Sequence, residues 1–280
     1  MTERPAATVE AANPTAAASG GAAASAATGG APSGATGAAS GGATGAASAP
    51  KRPRQRMLRT AITLLRKELL IELRTLESVP AMVLFALGTY VVFHFALNAG
   101  SVQGDLAAGM LWVTILFAAL LGINRLFVAD ADQGGFDALL LAPVDSSALL
   151  LAKAAALTIY LLALEVVAVP AFGLLLLGAS LGHALPDLLV VIALADLGLA
   201  AIGTFVAALA VRTTARDLIG PLIALPLLVP IAIGASQASS PLLTIVHPGG
   251  LETRWLLLLG VYDLLFGLIA YAVFDFLLED

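Results

Sequence analysis

The chain has 280 residues, 59% of them hydrophobic and 12% charged, with a formal net charge of −5. A domain surrounded by water needs more polar cover than that, so the composition excludes a soluble fold and identifies an integral membrane protein. Cysteine is absent, which excludes a disulfide framework, a thiolate metal site and a cysteine nucleophile, and nothing in the charge pattern points to nucleic acid as a partner.

Residues 1–50 are Ala, Gly, Ser, Thr and Pro with almost no charge and no large apolar side chain after Val9. Such a stretch buries too little surface to offset the entropy of ordering, so a disordered tail is expected. No apolar core follows a basic start, so it does not read as a secretory signal. From Lys51 to Arg74 the character changes: eight Lys and Arg appear, with Leu58, Ile62, Leu65, Leu69, Leu73 and Leu76 at steps of three and four. That pattern predicts a basic amphipathic helix over 51–77, with cations toward anionic lipid and the Leu stripe toward the acyl boundary.

A six-span transmembrane domain is expected over 78–280, with spans near 79–98, 106–128, 149–178, 187–211, 218–236 and 255–277, each close to the roughly 20 residues that cross a bilayer. The fold class is therefore all-α. Pro170 predicts a kink near Val166 in the third span. The fifth is the least regular on paper, because Pro221, Pro226 and Pro230 favour a re-entrant or distorted element.

The longest polar interruption lies between the second and third spans, from Asn124 to Asp145. Within it Phe136, Leu139, Leu140 and Pro143 recur at helical spacing after Gly134-Gly135, which predicts a short amphipathic helix at the membrane surface that offers its apolar side to a partner. Orientation follows from the basic residues. With the N-terminus cytoplasmic, thirteen Lys and Arg, Arg125 and Lys153 among them, fall inside, and Arg254 alone falls outside. Both termini and the long polar loop are then cytoplasmic.

The run Gly109-Met110-Leu111-Trp112 through Gly122-Ile123-Asn124-Arg125-Leu126-Phe127, then Leu139-Leu140-Leu141-Ala142-Pro143 and Lys153, resembles the core of the CcmB family. The resemblance runs from about Arg56 to Asp280 and includes Lys67-Glu68-Leu69-Leu70-Ile71-Glu72-Leu73-Arg74. Asp130 and Asp132 stand where the family more often has Glu, and Ser146-Ser147 replace a more basic turn. The resemblance implies an ABC-2-like permease subunit in the haem-exporter complex of cytochrome c maturation. It implies an ATPase partner of CcmA type, a haem-handling partner of CcmC type, a homodimer within the complex, and haem as the handled substrate. A permease moving a lipid, drug or polysaccharide is the alternative within the same architecture.

The chain has no Gly-x-x-x-x-Gly-Lys-Ser/Thr loop to cradle phosphates, so ATP must be used by a separate subunit, with the loop that carries Arg125, Phe136, Leu139, Leu140 and Pro143 as its lever. Three carboxylates fall inside apolar segments: Glu165, Asp196 and Asp263. An ionised group at mid-bilayer costs about 2.5–3.5 kcal/mol on insertion scales, so these acids are expected to face the interior, paired or carrying a proton. They either line a conformational or proton-linked pathway or tie helices together by hydrogen bonds. Glu165 and Asp196, on consecutive antiparallel spans, are expected to share one interior position. His94, His183 and His247 are chemically able to ligate haem iron, but only Trp112 and Trp255 are present to suggest a Trp-rich haem-handling segment, so the histidines read as interfacial and no resident metal is expected. An intramembrane aspartyl protease is the remote enzymatic reading. Tyr262-Asp263 supplies half of such a site, but Asp196 has its glycine on the wrong side, at Gly198.

Overall fold

The computed structural model describes residues 53–97, 101–126, 146–178, 181–211, 216–244 and 249–279. Seven α-helices and no strand occur among the described residues: α1 (Pro53–Thr75), α2 (Ser78–Leu97), α3 (Gly104–Arg125), α4 (Ser146–Phe172), α5 (Leu185–Val211), α6 (Arg216–Ser239) and α7 (Thr253–Glu279). Six of them, α2 to α7, are long and apolar enough to cross a membrane, and the helix is the form in which a chain pairs its backbone groups within one span. This is a multi-pass membrane protein. The expected amphipathic segment is present as α1; residues 1–50 lie outside the described set.

α3 and α5 are the most buried of the six, and α2 and α7 the least. α5 packs against α4, α6 and α7, while α3 packs against α2 and α6. Small and aromatic residues set these approaches. Tyr90 of α2 meets Phe172 of α4 edge to face, with ring centroids 5.5 Å apart. Trp112 of α3 is buried, and its indole N–H donates to Ser239 Oγ of α6 at 2.9 Å. The sequence marks Trp112 only as an early residue of its span; the structure makes it the polar fastening of the α3–α6 seam.

Both spans with proline in the helix interior stay helical. α4 continues as an α-helix through Val166 and Pro170, and its geometry changes only afterwards, in a π-helical turn at Gly173–Leu177. Gly178 closes that turn: its N–H reaches Gly173 O at 3.1 Å, and its φ of 66° is one that glycine adopts without steric penalty. α6 likewise runs unbroken through Pro221, Pro226 and Pro230. The Tyr262 hydroxyl of α7 donates to Leu227 O at 2.8 Å, one residue past the Pro226 carbonyl that Pro230 cannot pair.

Candidate functional site

At one end of the bundle, charged side chains from α1, the turn that follows it, α3 and α4 converge. Lys153 lies about two turns into α4 and is 1% exposed. Its ammonium pairs with Glu68 Oε1 of α1 at 3.0 Å and donates to the Leu126 carbonyl, just past α3, at 2.8 Å. A buried ammonium needs both charge and acceptors, and this arrangement supplies them from the two elements it must hold. Ala61 of α1 meets Ala148 and Ala152 of α4, and these small residues let the helices come close enough for the pair to form. The sequence places Lys153 among the basic loop residues, so its burial is a finding of the structure. The available signal was Glu68 itself, an acid interrupting the Leu-rich side of a basic helix.

One turn further along α1, Glu72 Oε1 accepts the backbone N–H groups of Ser78 and Val79, each at 2.8 Å. The carboxylate therefore caps α2 from the preceding helix, where free N–H groups and the helix dipole both favour negative charge. The turn between them is tight enough to place Leu76 at φ 50°, a left-handed conformation that costs a non-glycine residue about 1–2 kcal/mol. Arg125, the one residue of the expected ATPase-docking set that is described, reaches Glu77 Oε2 at 3.1 Å on an exposed surface, a pair worth at most about 1 kcal/mol. Phe136, Leu139, Leu140 and Pro143 lie outside the described residues.

The intramembrane acids divide into two places. Glu165 of α4 and Asp196 of α5 are both buried, and their carboxyl groups are electrostatic neighbours. Neither has another partner among the described residues. Two ionised carboxylates have no hydrogen to share, so this contact becomes a hydrogen bond only when one of them carries a proton. The buried Tyr90 hydroxyl stands beside Glu165 and is likewise without a hydrogen-bond partner. Asp263 is not part of this group. It comes from α7 onto the opposite side of α5, where a β-carbon at Gly198 would overlap its carboxylate. The two aspartates that a protease would need therefore do not converge.

His94 is exposed, and its Nδ1 lies 2.6 Å from the Leu175 carbonyl in the π turn; with the proton on Nδ1, the ring donates to that carbonyl. His183 is exposed in a short 3₁₀ turn, and His247 lies outside the described residues. Asp105, expected to be simply solvated, is exposed and also accepts a hydrogen bond from the Ser240 hydroxyl. No group of three or more His, Asp or Glu side chains is arranged to hold a metal ion among the described residues.

Comparison with known proteins covers the chain from within α1 to within α7. The family model described as CcmB protein matches residues 59–273. Heme exporter protein B of Rhodobacter capsulatus is 35% identical over 138 residues, 49% of this chain and 62% of that protein. The protein of the same name from Paracoccus denitrificans is 33% identical over 139 residues, 50% of this chain and 63% of that one. A third, from Pseudomonas aeruginosa, is 31% identical over 185 residues, 64% of this chain and 81% of that protein. The first two alignments thus span a little under two thirds of those relatives.

Proposed function

The chain belongs to the CcmB family, and from that premise we propose that it is the permease subunit of an ABC transporter complex that delivers haem for cytochrome c maturation. The observation that carries this reading is the continuous family match over 59–273, which includes both the helix bundle and the charged junction at its base. The name Heme exporter protein B, borne by relatives that are 31–35% identical, supports haem as the substrate handled.

In this reading the junction end is cytoplasmic, because the basic residues of α1, Arg125 and Lys153 gather there. ATP is hydrolysed by a separate subunit of CcmA type, a CcmC-type subunit handles haem, and two copies of this chain form the permease. The segment from Arg125 to Pro143 receives the ATPase, with Phe136, Leu139 and Leu140 as its apolar contacts. Glu165, Asp196 and Asp263 serve the bundle interior rather than the ATPase. Replacing Phe136 and Leu140 together with Asp tests the docking assignment. Loss of the ATPase from the purified complex, with the permease still in the membrane, is expected. Full recovery of the complex would refute the assignment.

A further inference from the structure

We propose that the outward face of α1 is a docking surface for anionic phospholipid. At about 3.6 residues per turn the helix has three distinct stripes. Ala61, Leu65, Glu68 and Glu72 point to the bundle. Leu58, Ile62 and Leu73 form the next stripe and are 49%, 53% and 70% exposed. Arg59, Arg66, Lys67 and Arg74 form the third, all exposed, with Leu70 among them at 61% exposure.

The asymmetry of charge is the informative feature. α1 has two acids, and both are withdrawn: Glu68 onto Lys153 and Glu72 onto the start of α2. Lys67 also touches Glu68, at 3.6 Å, while its side chain remains near the surface. What the helix presents outward is cationic, with a stripe of large apolar groups alongside. A headgroup layer over an acyl boundary satisfies both stripes at once. A free anion would satisfy only the cations, and a second copy of the same face would bring like charges together. The Glu68–Lys153 pair fixes the rotation of α1, so these stripes cannot roll away from the surface they match.

The absence of native cysteine allows one environment-sensitive fluorophore to be attached through a cysteine at position 62 of the full chain. The labelled protein is reconstituted in equal parts phosphatidylglycerol and phosphatidylcholine, with bromine on one lipid or the other. Brominated phosphatidylglycerol is expected to quench the label at least about twofold more than brominated phosphatidylcholine, and less so as salt rises. A label at Leu84, on the exposed side of α2, should be quenched equally by both. Converting Arg59, Arg66, Lys67 and Arg74 to Gln together should bring the ratio at position 62 to one. A chain that keeps its elution profile in detergent is folded well enough for that comparison, and the unsubstituted protein gives the primary result in any case. Equal quenching by the two lipids would overturn the proposal. So would a label reached by neither, which would mean that protein covers this face. Inorganic phosphate at constant ionic strength should leave the preference unchanged; if it erases the preference, the surface binds a free anion and the lipid assignment falls.

Discussion

Lys153 is held by a carboxylate and a carbonyl that belong to two different helical elements, so its removal strands Glu68 rather than merely deleting a contact. Lys153→Met is expected to cost about 3–5 kcal/mol, because an uncompensated charge is left in a buried site. Adding Glu68→Leu should recover much of the loss, which thermal unfolding of the detergent-solubilised protein would show; equal loss in the single and double variants would mean that packing, not charge, is the cause. Glu72→Ala should be milder, about 1 kcal/mol, as for the loss of other helix caps. Gly198→Ala presents a different problem. The added methyl must displace the Asp263 carboxylate, and overpacking of this kind costs about 1–3 kcal/mol. Shortening the neighbour with Asp263→Ala in the same chain should relieve it.

Between helices, the sequence was most legible where one periodicity ran without interruption. With the π turn counted as the end of α4, the expected boundaries of all six spans lie within three residues of the helices wherever both are described, because hydrophobic length is set by the membrane. That the three prolines of α6 leave that helix unbroken was not legible, because a local rule reports each lost N–H but not the packing that holds the remaining turns together. Lys153 was hidden similarly, since a lysine near a span end looks the same whether it reaches water or a buried Glu68. The Glu165–Asp196 meeting was open to reasoning, because adjacent antiparallel spans bring residues at equal depth together. The side of α5 reached by Asp263 depends on helix rotation, which composition does not encode. Tyr262→Phe tests the seam between α7 and α6. Loss of its hydroxyl should reduce stability by about 0.6 kcal/mol, typical of hydrogen bonds between membrane helices, and a fall of several kcal/mol would show that the prolines of α6 depend on it heavily.

At the scale of the whole molecule, the interior acids and the N-terminal tail can be separated from assembly. Glu165→Gln and Asp196→Asn each supply an amide hydrogen to the remaining carboxylate, so the contact between α4 and α5 should persist and cytochrome c maturation should remain near the unsubstituted level. If either variant assembles normally and yet abolishes maturation, the pair is part of a proton-linked pathway. Deleting residues 2–48 removes a stretch with no large apolar residue after Val9, and membrane insertion and maturation should both continue. Loss of maturation at a normal protein level would assign that stretch a binding role.

The two tryptophans occupy very different surroundings. Trp112 is sealed between α3 and α6, with its indole N–H on Ser239. Trp255 is only partly buried at the start of α7, with the Arg254 guanidinium 5.9 Å from its ring centroid. Replacing Trp255 with Phe therefore leaves a single native fluorophore inside one helix seam. Its emission maximum reads whether water enters between α3 and α6, and it does so without any added dye. Assembled with partner subunits whose own tryptophans have been replaced and mixed rapidly with ATP, the chain would report the timing of any separation of those two helices as a red shift that appears and decays with each turnover.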